Sequence, residues 1–385
     1  MKNIGISKIG TFSLLLVASI IVMVGIVPTP GLVKISANLG VEDTASLLIT
    51  LPGLGVIFFS LFAKKIIEKI GFYKSLIIGL FFYGFLGAGV VFLNGYLVLI
   101  DRFFLGGATG LISVSIFGLI SYFYDSKKRL KIISLQSISM ELGGGLALAL
   151  SGILVVFSWK LPFLIYLLSW LFIFMLLMFV PNPNEEQRKS NSVQTNSFKI
   201  LINIFIGATA SMFLFYTSMT TLPKFLNSFN MGEDKIGYLL SSISFIAILS
   251  AGFIPKLVDF LSQKSILSLS FLFYSLGYLT FSFSNNLIFF IIAAVFVGLG
   301  FGLSLPILSH MVIEKSKDCS LLENLSYFSI SIFLGQFLVS FIDIISSNSI
   351  TIFYLVSFFA FIISIIFIKS RKNEIFDKIK YDKQK

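Results

Sequence analysis

Long apolar runs, each closed by a short polar turn, follow one another along the whole chain. Twelve can be marked, at 11–30, 46–63, 75–93, 97–120, 132–156, 163–180, 199–221, 237–255, 265–283, 286–308, 324–345 and 350–368. Each has the length, about 18 to 25 residues, that a helix needs to cross ~30 Å of hydrocarbon. In lipid only helices and closed barrels satisfy their own backbone, and these runs lack the polar alternation of barrel strands. The pattern predicts an all-α, polytopic membrane protein of 12 transmembrane helices.

Composition agrees. The chain is 56% hydrophobic and 12% charged, against about 25% charged in soluble domains. Lys2 and Lys8 precede the first run, but the run lacks a small-residue cleavage site and exceeds a signal core, so it reads as the first span. A single Cys319 and a single His310 exclude a disulfide framework and multi-histidine or thiolate metal chemistry. No cofactor is expected.

The net charge of +11 points to the bilayer rather than to nucleic acid. With the N-terminus inside, 24 of the 29 Lys and Arg fall on inner segments. Lys34, Lys160, Lys224 and Lys235 fall outside, and Arg102 lies within a span. This asymmetry places both termini in the cytoplasm. The richness in Phe, Ile, Lys, Ser and Asn fits an AT-rich bacterial genome, so an inner (plasma) membrane is expected.

The longest internal polar stretch, from Pro181 to Asn196, reads as a cytoplasmic linker. The expected organisation is a six-helix bundle over 1–180, a linker over 181–198, a second bundle over 199–368 and a basic tail over 369–385. The halves match at shifts of 190 to 192 residues: Glu42-Asp43 with Glu233-Asp234, Lys65 and Glu68 with Lys256 and Asp259, Lys74 with Lys264, and Gly106 and Gly110 with Gly298 and Gly302. The clearest match sets Ser137-Ile138-Ser139-x-x-Leu142-Gly143 against Ser329-Ile330-Ser331-x-x-Leu334-Gly335. Parallel repeats of this kind, around a midplane site, are a transporter architecture.

With these residues in view, the chain resembles the major facilitator superfamily over nearly its whole length. After span two, Glu68, Lys69 and Gly71 stand at the acidic, basic and glycine positions of the family's loop, with Lys74 following. Phe72 and Tyr73 replace expected basic residues, and Lys64 replaces the first glycine. Span four carries Arg102-x-x-x-Gly106-x-x-x-Gly110, similar to the family's Arg-Gly motif, and Trp159-Lys160-x-x-Phe163 resembles the Trp-Arg-x-x-Phe between spans five and six. The Gly-Pro-x-x-Gly-Gly motif of efflux antiporters is poorly kept: its positions fall on Ala147, Leu148, Ser151 and Gly152. The resemblance implies two bundles rocking around a cavity lined mainly by spans one, four, seven and ten.

Glu141 lies about ten residues into span five, close to mid-membrane, where a carboxylate is costly and faces a cavity or a partner. Its counterpart in the second half is Phe333, so the shared scaffold does not require an acid there. It is a candidate proton carrier; a structural carboxylate tied to serines or Arg102, or a substrate contact, are the alternatives. Asp101 and Arg102, whose counterparts are Ala293 and Ala294, join it as candidates for proton coupling. As sequence neighbours they point along different helix directions and are not automatically paired. Glu68, Lys69, Gly71, Lys74 and Asp259 are candidates for a gate at the inner face, against simple positive-inside anchoring. Gly106, Gly110, Gly298 and Gly302 suit close helix packing with room for a cavity. Spans one and seven carry almost no charge, and Ser13, Ser19, Thr209, Ser211, Tyr216 and Thr217 are their candidate cavity polar groups.

The expected activity is proton-coupled efflux of a hydrophobic or amphipathic small molecule by a monomer, resembling the multidrug antiporters. Uptake of a small nutrient and a transporter-like sensor are the alternatives. A membrane enzyme would need a catalytic cluster, nucleotide loop or metal motif, and the sequence offers none.

Overall fold

A computed structural model describes residues 6–124, 126–183, 197–316 and 321–382. The expected linker falls largely outside these residues, as does Cys319. Fourteen helices are described: α1 (Lys8–Ile26), α2 (Leu32–Leu39), α3 (Leu47–Gly89), α4 (Tyr96–Phe123), α5 (Ser126–Phe157), α6 (Leu168–Phe179), α7 (Ser197–Asn227), α8 (Glu233–Gly252), α9 (Ile254–Phe260), α10 (Gln263–Phe283), α11 (Leu287–Lys315), α12 (Leu321–Leu338), α13 (Ile342–Ile345) and α14 (Ser349–Asp382). Among the described residues eleven stretches are long and apolar enough to cross a membrane, and a shorter apolar one, Leu47–Ser60, supplies the remaining span. The chain is an integral membrane protein of two six-helix bundles.

Three boundaries differ from those read in the sequence. The first span ends at Ile26 rather than continuing to residue 30, and the chain restarts as α2 beyond Pro28 and Pro30. Proline lacks the N–H that would continue the ladder. Spans two and three run together as α3, with one break at Gly71 (φ 85°, ψ 163°). The last helix continues through the expected tail to Asp382.

The duplicated pattern reappears as duplicated contacts. Tyr83 donates to the Ile20 carbonyl, and its counterpart Tyr274 donates to that of Ser211. Gly106 lies against the Pro52 backbone of α3 and Gly110 against Val56; Gly298 and Gly302 lie in the same way against Ile243 and Ala247 of α8. These four glycines bring spans four and ten close to spans two and eight. In the second half, α10 and α14 are also joined by serines, Ser268 with Ser364 and Ser275 with Ser357, all buried.

Candidate functional site: a seam between the halves

Two helix pairs carry most of the junction between the bundles, α5 with α8 and α3 with α12. At the end far from the chain termini they are in tight contact. Gly152 faces Gly237, and Ser241 donates to the Gly145 carbonyl at 2.8 Å. Thr50 and Ser340 share a hydrogen bond of 2.6 Å, and Gln336 Nε2 donates to the Ile49 carbonyl at 2.8 Å. Lys224 pairs with Asp343 at 2.8 Å, with Ser46 bonded to both. Lys34 reaches Glu233 at 3.9 Å and the Val155 carbonyl at 3.0 Å.

Toward the termini the same helix faces open. On α5 the face that meets α8 runs Gly152, Leu148, Gly145, Glu141, Ser137, Ser134, at the three- and four-residue spacing of one helix stripe. Its first three residues are buried, Glu141 is half-buried, and the last two are exposed. Gln336 and Phe333 of α12 are buried, Ser329 is half-buried and Ser326 is exposed. Along α8 and the first arm of α3 the burial falls in the same direction, from Gly237 to Gly252 and from Ser46 to Ile57. The junction is therefore a cleft, closed at the far end and open toward the termini.

Glu141 sits where the cleft closes, one turn from Gly145, whose own neighbours are Ser244 and Phe245. Among the described residues it has neither an ion-pair partner nor a hydrogen bond. Tyr216 is buried beside Gly25, close to the amide of Gln336. Gln336 Oε1, also buried, accepts no hydrogen bond among the described residues.

Arg102 is elsewhere. It is wholly buried inside the first bundle and forms a 2.7 Å ion pair with its neighbour Asp101. The same guanidinium reaches Tyr166 and the carbonyls of Leu86 and Gly87, and lies 5.7 Å from the centre of the Phe163 ring. Sequence neighbours on a helix need not pair, but these two do, through Arg102 Nη2 and Asp101 Oδ2. Glu141 is not Arg102's acceptor, so the three candidates for proton coupling form two separate sites.

The expected gate residues stay apart in this state. Glu68, Lys69, Lys74 and Asp259 are exposed, and no ion pair described joins them. Gly71 supplies the positive φ that turns span two into span three. His310 is exposed and bonded to Gln263, near Glu314. Among the polar groups expected in spans one and seven, Ser13, Ser19, Thr209 and Thr217 bond to carbonyls of their own helices, and Ser211 bonds to Ser304. Sequence reading missed the Lys224–Asp343 pair and Gln336. No group of three or more His, Cys, Asp or Glu comes together among the described residues.

The model of the Major Facilitator Superfamily matches residues 12–203 and again 204–380. The chain belongs to this superfamily. It is a membrane transporter, not an enzyme. A curated relative, the uncharacterized transporter YycB of Bacillus subtilis (strain 168), is 27% identical over 260 residues, which is 61% of this chain. The match spans 60% of that relative's length. Solved structures with the same superfamily fold include a peptide transporter POT in complex with sulfate (TM-score 0.72, 12% identity, 94% of each chain). A D-xylose-proton symporter is similar too (TM-score 0.72, 16% identity, 92% of this chain and 95% of that one).

Proposed function

We propose that this transporter exports a hydrophobic or amphipathic small molecule in exchange for protons, with Glu141 as the group that takes up and releases the proton. The position of Glu141 carries the reading: a lone, unpaired carboxylate on the stripe of α5 that closes against α8, at the level where exposure gives way to burial. A carboxylate there meets one compartment while the far end is closed and the other once the bundles have rocked. The surroundings fit a lipophilic solute. Few hydroxyls are free there: Ser13, Ser19 and Thr217 bond to carbonyls of their own helices. The positive-inside distribution supports cytoplasmic termini, which makes the described cleft open to the cytoplasm, the side from which an exporter loads.

Purified chain in liposomes, given an imposed pH gradient and a panel of lipophilic compounds, tests this. Flux should follow the gradient in the wild type and lose that dependence in Glu141→Gln while compound exchange persists. Gradient-independent flux in the wild type, or an unchanged response in the variant, would overturn the assignment. Substrate counterflow in right-side-out and inside-out vesicles separates export from uptake.

A further inference from the structure

On the bilayer-facing flank of the second bundle, away from the seam, lies a cleft of about 440 Å³. Leu299 and Leu303 of α11 form its floor, Ser250 and Leu269 its two sides, and Leu257 and Phe260 of the short helix α9 close it toward the terminal end. One charged group stands at its rim, Lys256. Asp259 shares α9 but is not among the lining residues and is exposed.

The internal repeat shows how the matching face of the first half is packed. Shifting by 191 residues sets Phe59 of the first half against Ser250, and shifting by 192 sets Gly107 against Leu299. In the first half the Phe59 ring covers Gly107 and packs with Phe58, Phe103 and Phe104. At the matching positions the second half has Ser250, whose hydroxyl donates to the Ala247 carbonyl, and Leu299 in place of the glycine, so the ring-on-glycine contact is absent and an apolar slot lies between them. Its mouth is flanked by Phe253 and Phe260, which are 58% and 86% exposed and would be costly in water. Their place is among lipid chains, which puts Lys256 at headgroup depth, where a lysine favours an anionic surface.

We propose that the slot holds an acyl chain of an anionic phospholipid whose phosphate lies against Lys256. The acyl chain packs on Leu299 and Leu303, and the lysine selects the headgroup. The site is separate from the substrate cleft and does not depend on Glu141.

The test uses full-length protein in nanodiscs containing phosphatidylglycerol or phosphatidylcholine with a photoactivatable diazirine on one acyl chain. Crosslinked peptides are mapped by mass spectrometry. Phosphatidylglycerol should label the segments around Ser250 and Leu299 several-fold more than phosphatidylcholine does. Lys256→Gln should cut that preference by roughly five-fold, the size of one lysine–anionic lipid contact. Leu299→Trp should abolish labelling in the slot while leaving that of the exposed α6 surface at Leu171 and Phe174 unchanged, which reports an intact fold. Equal labelling by the two lipids in the wild type, an unchanged preference in Lys256→Gln, or unchanged slot labelling in Leu299→Trp would each overturn the proposal.

Discussion

Gly152 and Gly237 face each other across the junction of the two bundles so closely that neither has room for a side chain. A Cβ on Gly152 would lie 2.9 Å from the Cα of Gly237, and one on Gly237 would lie 2.8 Å from the Cα of Gly152. The contact belongs to the closed far end, so in the proposed rocking cycle it is made in one state and broken in the other.

Widening one of these glycines should therefore disfavour the described state rather than unfold the protein. Overpacking costs about 1–3 kcal/mol, so Gly237→Val should shift the balance of states by roughly five-fold or more. In a background with Cys319 replaced, Ser241→Cys is buried in the seam and should react slowly with a maleimide. Its labelling should quicken when Gly237→Val is added.

Lys224 and Asp343 both belong to the second bundle, and Ser46 of the first bonds to each of them at the same end; their side chains are 32% and 35% exposed. Half-exposed pairs of this kind contribute about 0.2–1 kcal/mol. Lys224→Ala should thus move the same labelling rate by less than about five-fold, and raised salt should have little further effect on the variant. Reversing both charges should return part of the loss.

Arg102 and Asp101 form a different kind of pair, with the guanidinium wholly buried. Removing one member of a buried pair leaves an uncompensated charge and costs about 3–5 kcal/mol. Arg102→Ala should lower the thermal unfolding midpoint in detergent markedly. Arg102→Lys should lower it less but visibly, since an ammonium cannot span Asp101, Tyr166 and the Leu86 carbonyl together. Glu141→Gln should leave the midpoint nearly unchanged, because no partner is lost.

At Gly71 the backbone has φ 85° and ψ 163°, a region other residues enter only under strain. Gly71→Ala should cost about 1–3 kcal/mol. Gly252 has ordinary φ and open space around it, so Gly252→Ala is the matching control and should be near neutral in the same melt.

Much of this architecture was legible in the order of residues. Apolar run length gave the spans because the bilayer sets one thickness for all of them, and the shift of about 191 residues gave the bundles because twin glycines pack on twin backbones. The same shift held a signal that went unread: Tyr83 and Tyr274 are counterparts, and both bond to the backbone of the helix that opens their bundle. What the sequence could not show was pairing through space. Lys224 and Asp343 lie 119 residues apart, and nothing around either one names the other. Nor could it show whether Asp101 would fold back onto Arg102, which depends on the burial around both. Glu141 was singled out by depth and by the absence of a twin; which way it faced needed the neighbouring helix.

The paired serines of α10 and α14 bear on how the second bundle can move. Each pair also bonds to the opposite backbone, both ways at Ser268 with Ser364 and from Ser357 to the Ser275 carbonyl, so the two helices are stitched at points two turns apart. Sliding one past the other would break every stitch in an environment with no water to replace it. These two helices should travel as a single rigid plank, and bending during the transport cycle falls instead to α7 and α11, where Pro223 and Pro306 have already removed a rung of the ladder.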